Sequence, residues 1–235
     1  ASRRNGLFRW TQDSLIRMDG VSGIEARGYK DLLLDSTGVL WAIPTEGGLW
    51  EIRIPVDTAL EFETVRWGRL EGLPSTRLNY LHLDKEQRLW ISTADAGLLC
   101  WRKGALLYQF TKSEGMPAGE LYAVVEDSSG YLWIGSRANG LARLDIYADS
   151  IGLEHFTYKE GLYSNTVNSI LCTEGQELWI GSESGVDRVI LDADRMPKSV
   201  QHYGPAEGFE GVEALPNLAV EDPDGKLYWG PVAGL

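Results

Sequence analysis

The sequence predicts an all-β chain folded as a β-propeller of four-stranded antiparallel blades. Three observations carry this: a Leu-aromatic pair that recurs along the chain, a turn residue six places before each aromatic, and a Gly-aliphatic step six or seven places after it. The pairs are Leu40-Trp41, Leu89-Trp90, Leu132-Trp133, Leu178-Trp179 and Leu227-Tyr228, with aromatics 49, 43, 46 and 49 residues apart. The 27 Gly and 9 Trp of this 235-residue chain suit many short strands that need frequent turns and large core aromatics.

Each blade reads in the order a, b, c, d. The turn residues are Asp35, Asp84, Asp127, Thr173 and Asp222, and three of them open an Asp-x-x-Gly hairpin. Asp bonds its own downstream backbone and Gly supplies a positive φ, so strand a precedes each turn and strand b follows it. Strands a are expected near 31–35, 80–84, 123–127 and 169–173, with strands b centred on the Leu-Trp pairs. Strand c begins at Gly48-Leu49, Gly97-Leu98, Gly140-Leu141, Gly185-Val186 and Gly234-Leu235. Stretches such as Leu107 to Thr111 and His155 to Tyr158 supply strand d. A Glu-Gly loop then leads into the next strand a, at Glu71-Gly72, Glu114-Gly115, Glu160-Gly161 and Glu207-Gly208.

Solenoid coils would repeat at a shorter period, and a sandwich would not repeat one Trp-centred motif. The expected organisation is a single domain over residues 1–235, with complete blades at about 29–67, 78–111, 121–158 and 167–204 and remnants at 1–20 and 218–235. The remnants form a split fifth blade, or mark a fragment of a seven-bladed ring. Ser2-Arg3-Arg4-Asn5-Gly6-Leu7 aligns with Ser136-Arg137-Ala138-Asn139-Gly140-Leu141, which places a strand c near Gly6 to Trp10. Pairing it with the C-terminal strand b would cover two open edges and close the ring. Trp41, Trp90, Trp133 and Trp179 are expected to be largely buried between blades.

A formal charge of −12 with no Lys/Arg cluster argues against nucleic acid and against anionic lipid. No apolar run reaches the roughly 20 residues that span a bilayer, so no membrane contact is expected of this segment. Cys100 and Cys172 occupy non-equivalent places in non-adjacent repeats and read as small buried hydrophobes. His82, His155 and His202 lack metal-ligand spacing, and no nucleophile elbow, phosphate loop or dinucleotide fingerprint is present. No catalytic residue, metal or cofactor is therefore predicted.

In a meander the a–b and c–d turns share one end of the blade, and the b–c and d–a loops share the other. The b–c loops vary and carry Glu46, Asp95, Arg137, Asn139 and Glu183. Five residues before each turn residue stands a polar column, Lys30, Asn79, Tyr122, Asn168 and Asn217, near the same end. These side chains either bond loop backbone or form a polar ligand site. The candidate ligand residues are Asn79, Tyr122, Arg137, Asn168, Asp95 and Asn139.

Asp127-Ser-Ser-Gly-Tyr-Leu-Trp-Ile-Gly-Ser136 with Asn139-Gly-Leu-Ala-Arg143 resembles the two-component regulator propeller repeat. Glu160-Gly-Leu-Tyr-Ser-Asn-Thr-Val-Asn-Ser-Ile170 and Glu177-Leu-Trp-Ile-Gly-Ser182 resemble it too. Ile43 and Ser92 depart from its Gly, and Glu86-Gln87 from its Ser-Gly turn. The resemblance implies the extracytoplasmic sensor propeller of a bacterial histidine kinase, hybrid regulator or GGDEF cyclase, on the periplasmic or extracellular side of the membrane. By analogy the partner is an unknown small molecule or saccharide, with a homodimer as a further option. A protein-interaction scaffold is the alternative, and a propeller lyase or hydrolase resembling streptogramin lyase, with its metal near His82, a weaker one.

Overall fold

The computed structural model describes residues 7–10, 15–18, 24, 28–54, 62–147, 152–173, 176–209 and 211–233. The chain divides into two compact units, Ala1–Gln109 and Phe110–Leu235. In the first, β1 (Phe8–Trp10) and β2 (Leu15–Arg17) form a two-stranded sheet. β3 (Tyr29–Leu34), β4 (Val39–Pro44), β5 (Leu49–Arg53) and β6 (Glu63–Trp67) follow as one antiparallel four-stranded blade. β7 (Leu78–Leu83), β8 (Leu89–Thr93), β9 (Leu98–Arg102) and β10 (Ala105–Phe110) form the next.

The second unit repeats the plan. β11 (Leu121–Glu126), β12 (Tyr131–Ser136), β13 (Leu141–Asp145) and β14 (Gly152–Phe156) make a third blade. β15 (Ser169–Thr173), β16 (Glu177–Ser182), β17 (Gly185–Leu191) and β18 (Pro197–Tyr203) make a fourth. β19 (Gly211–Glu221) and β20 (Leu227–Ala233) close the unit as a two-stranded sheet. Among the described residues, helix is confined to 3-10 turns at Lys112–Glu114, Tyr158–Glu160 and Pro205–Glu207. The fold is thus the expected all-β propeller type, with four four-stranded blades in register with the sequence repeat.

The fixed six-residue spacing from turn to aromatic has a direct cause. In the third blade, Asp127 Oδ1 accepts the Ser129 and Tyr131 backbone N–H groups at 2.8 and 3.1 Å, and Oδ2 accepts Trp133 Nε1 at 3.1 Å. Asp35 and Asp84 do the same for Trp41 and Trp90, at 3.0 and 2.8 Å, and Asp222 accepts the Tyr228 hydroxyl at 3.1 Å. One carboxylate therefore closes the hairpin and anchors the core aromatic. Against the cost of desolvation, hydrogen bonds from Thr37, Val39 and Trp41 hold the Asp35 carboxyl below its ordinary value.

Trp41, Trp90 and Trp133 are buried. Trp179 is half-buried, the least covered of the four and still largely buried as expected. Thr173 stands where the other blades have Asp, and the indole bonds instead to Glu177, which faces Thr173 across the hairpin. The ring lies beside Tyr203 and Trp229, with the Arg188 guanidinium 5.5 Å from its centroid.

The Glu-Gly loops are capped turns. Glu114 Oε2 accepts the Thr111 backbone N–H and hydroxyl, both at 2.7 Å, and Glu160 serves Thr157 identically. Glu207 and Glu71 accept the backbone N–H of Gly204 and Gly68, both at 2.9 Å. These hydrogen bonds hold Glu114 and Glu160 below the ordinary carboxyl range. The acids of these loops are accounted for by the capping box.

Core packing follows the blades. In the first unit Trp41, Ile43, Leu49, Leu81, Ile91 and Trp101 share one cluster; in the second, Trp133, Leu141, Phe156, Val167, Ile180 and Val189 share another. Gly135 shows why this column favours glycine: a Cβ there would lie 2.5 Å from Val167 Cγ1 and 2.9 Å from its carbonyl oxygen. Cys100 and Cys172 are free thiols; Cys100 is buried, and desolvation pushes it up to about 12.

One expectation about the ends is revised. Strand a of the last sheet begins at Gly211 rather than near Leu218, because an irregular register between Ala214 and Ala219 lets pairing with β20 continue. Within the first unit β1 pairs with β2, and within the second β20 pairs with β19. Residues 2–6 and 234–235, on which the end alignment drew, lie outside the described residues.

One inner strand carries a titratable device. Asp31 of β3 accepts the backbone N–H of Leu32 at 2.9 Å and, across to the next blade, that of Leu81 at 2.8 Å. Desolvation outweighs these bonds and pushes its carboxyl up to about 7, above the unfolded value of 3.8. The folded state therefore holds this proton more tightly than the unfolded state. Its stability contribution is fully present below about pH 4 and is lost as pH rises through about 7. The melting-temperature advantage of the native chain over Asp31→Asn should shrink from pH 4 to pH 8, and a constant difference would contradict the assignment.

Candidate functional site

The loop ends of the blades are woven together by backbone. Gly48 N–H donates to Thr76 O at 2.9 Å in the first unit, and Gly140 N–H to Asn165 O at 2.8 Å in the second. A b–c loop is thus tied to the d–a loop that follows, and side chains set on these loops are held by the scaffold rather than by flexible tips.

The second unit gathers the densest polar set. Glu120 precedes β11, Tyr122 lies on β11 and Arg137 follows β12. Glu120 Oε2 accepts from Arg137 Nη1 at 3.2 Å and from the Tyr122 hydroxyl at 3.4 Å. The Arg137 side chain is 67% exposed and that of Glu120 is 25% exposed. Asn168 is buried, and its amide donates to Glu213 Oε1 at 3.1 Å and Ala214 O at 2.8 Å on β19. Burial first, then the charges of Glu120 and Glu213, raise the Tyr122 hydroxyl, and Arg137 opposes them. The phenol therefore stays protonated as a donor. Asn139 donates to Ala118 O at 2.6 Å, which ties the b–c loop to the d–a loop that leads into the same blade.

Asn79 and Asp95 belong to the first unit. Asn79 Oδ1 is 3.5 Å from Lys30 Nζ, which also donates to Leu78 O at 2.9 Å. Asp95 accepts the Ser75 hydroxyl and lies 3.8 Å from Arg77. Within the second unit Glu120 and Glu213 thus link Tyr122, Arg137 and Asn168, while Asn79 and Asp95 lie in the first unit with separate partners. The side chain of Asn217 lies outside those described.

Two organising acids were absent from the sequence candidates, Glu120 and Glu213. A signal for the first was present. The residue seven places before the turn Asp is Arg77 in one blade and Glu120 in the next, and each pairs with an opposite charge in its own b–c loop, Asp95 and Arg137. Reading the two columns together would have exposed the charge-swapped pairs. Glu213 gave no such signal, because it lies in the irregular half of β19.

No group of three or more His, Cys, Asp or Glu able to hold a metal occurs among the described residues. Burial pushes His82 down to about 4, so it is neutral at physiological pH. No helix among the described residues is long and apolar enough to cross a membrane.

The set Glu120, Tyr122 and Arg137 falls inside a stretch, residues 115–138, that matches the family model of the two-component regulator propeller. The chain carries a two-component regulator propeller repeat. No curated protein matches it in sequence. Among solved structures, this chain is similar to the extracellular domain of a hybrid two-component system of B. thetaiotaomicron, at TM-score 0.83 and 16% identity. That match covers 98% of this chain and 30% of the other. PorZ, a bacterial surface component of the type-IX secretion system of Porphyromonas gingivalis, matches at TM-score 0.69 and 18% identity over 97% of this chain and 35% of its own. Virginiamycin B lyase of Staphylococcus aureus matches at TM-score 0.64 and 12% identity, over 86% and 63%. The chain therefore spans about a third of the first two, and at these identities the likeness is one of fold.

Proposed function

We propose that this chain is part of the signal-sensing input module of a bacterial receptor, facing the periplasm or the exterior, and that it binds a small polar solute, a saccharide foremost. The site proposed is the loop end of the second unit, over Glu120, Tyr122 and Arg137. The observation that carries this is the exposed Arg137 guanidinium held by Glu120 beside a protonated Tyr122 hydroxyl, which leaves donors and an acceptor facing solvent on a rigid base. Asn168 and Asn139 support that base through backbone bonds, and Asn79 and Asp95 are proposed as a lesser polar set on the first unit. No catalytic role is proposed.

The test is a thermal-shift and calorimetric screen with monosaccharides, disaccharides and galacturonate. A ligand at about 100 times its Kd should stabilise the fold by about 2.7 kcal/mol. Tyr122→Phe with Arg137→Ala should weaken that ligand at least tenfold. Unchanged affinity would move the site elsewhere, and a silent screen with stable self-association would favour the scaffold reading and a homodimer.

A further inference from the structure

Within the second unit the inner strands β11, β15 and β19 lie against one another, and Tyr122, Asn168 and Glu213 stand at or beside their first residues. Glu213 arrives there through an irregularity. Two register shifts, between Gly211 and Glu213 and between Ala214 and Ala219, let β19 run 11 residues against the 7 of β20. Irregular pairing of this kind re-aims a side chain. Asn168, 1% exposed, then fixes the result, because its amide donates to both Glu213 Oε1 at 3.1 Å and Ala214 O at 2.8 Å. The repeat supplies no such acid: nine places before the turn residue the three preceding blades carry Ser75, Ala118 and Ser164.

The charges at this end do not balance. Glu120 is paired, with Arg137 Nη1 at 3.2 Å and the Tyr122 hydroxyl at 3.4 Å. Glu213 accepts from the Asn168 amide, and among the described residues no Lys, Arg or His pairs with it. Burial first, then the charges of Glu120 and Glu213, raise the Tyr122 hydroxyl against Arg137, so both carboxylates lie within electrostatic reach of that phenol. Two carboxylates thus face one guanidinium. The first unit meets its own inner-strand ends differently: Lys30 holds the column place of Tyr122 and Asn168, and its ammonium donates to Leu78 O at 2.9 Å and lies 3.5 Å from Asn79 Oδ1. In the second unit both column residues are uncharged, and the chain brings no ammonium to Glu213.

We infer that the loop-end site of the second unit selects a solute that carries a primary ammonium group, held by Glu213, beside a hydroxyl or carboxylate held by Arg137 and Tyr122. The inference rests on the loop-end reading and narrows the small polar solute to an amine-bearing one. An ammonium brings three donors and one positive charge, and its hydrogen bond to a carboxylate is charge-assisted on both sides. A neutral solute leaves the charge of Glu213 unopposed.

The test is calorimetry with probe pairs that exchange ammonium for hydroxyl, at a pH below the amine pKa values: alanine with lactate, serinol with glycerol, and glucosamine with glucose. In at least one pair the ammonium member should bind about tenfold or more tightly than its hydroxyl partner. Glu213→Gln keeps an oxygen for the Asn168 amide and removes the charge, so the melting temperature should hold while the two members of that pair become equal. Tyr122→Phe with Arg137→Ala should weaken both members. An ammonium preference that survives Glu213→Gln would belong to the −12 charge of the whole chain and would overturn the inference. Equal binding of both members by the native chain, lost in Tyr122→Phe with Arg137→Ala, would overturn it and leave the loop-end reading standing. Silence from every probe would overturn it as well, and the wider sugar screen would then decide the loop-end reading separately.

Discussion

Replacing Trp133 by alanine is expected to cost the second unit about 3–5 kcal/mol of stability, because it removes transfer energy and leaves a cavity in a packed site. Trp133 is 0% exposed. Its ring lies 5.8 Å from that of Phe156, and Arg143 stands over its outer side at 6.0 Å. The loss also strips the indole donor from Asp127, a carboxylate that is itself 1% exposed. Trp133→Phe should separate the two effects: it keeps most of the apolar volume and forfeits the hydrogen bond, for roughly 1–3 kcal/mol. The half-buried Trp179, whose indole bonds to the part-exposed Glu177 in place of a buried turn Asp, should lose less on truncation than Trp133. Chemical denaturation of the three variants measures this order, and equal losses at 133 and 179 would contradict the role assigned to the turn Asp.

The blades were legible because their signal is periodic. A turn residue, an aromatic six places later and a Gly-aliphatic step recur at fixed offsets, and each offset corresponds to a bond: Asp127 to Trp133, Ser136 to Gly140, Glu160 to Thr157. The Glu-Gly loops and their acids read correctly as turn chemistry, and the capping hydrogen bonds supply its geometry. The polar column was legible as a column and not as a set of roles. Lys30 and Asn168 reach backbone carbonyls of the next inner strand, at Leu78 and Ala214, whereas Tyr122 turns to Glu120 in its own blade. Which of these a side chain does depends on its length and on the neighbour across the gap, and neither is written in one repeat. The carboxylate that β19 adds at Glu213 is a difference between blades, so a search for what the blades share passes over it.

Asp84→Ala should be the most damaging change at any turn Asp, at about 3–5 kcal/mol, because it breaks a buried ion pair by removing one partner. The Asp84 side chain is fully buried and that of Arg88 is 11% exposed. Asp84 Oδ2 accepts from Arg88 Nε at 2.5 Å and from Trp90 Nε1 at 2.8 Å, while Oδ1 accepts the Glu86 and Arg88 backbone N–H groups at 2.9 and 2.8 Å. Alanine leaves four donors short, one of them charged and out of water. Asp35 makes the same hairpin and indole bonds with no arginine at the fourth place, where Val39 stands, so Asp35→Ala should cost only about 1–2 kcal/mol. The excess at Asp84 then belongs to the guanidinium, which loses its shortest bond and keeps the pair with Glu86 at 3.4 Å, and a second change can show it. Arg88→Met removes the charge and keeps an apolar stem over Trp90, whose ring the guanidinium overlies at 5.8 Å. Asp84→Ala with Arg88→Met should therefore be more stable than the sum of the single losses by at least about 1 kcal/mol. Additive losses in urea melts of the four proteins would mean that the pair is incidental and that the turn's backbone bonds alone set the cost.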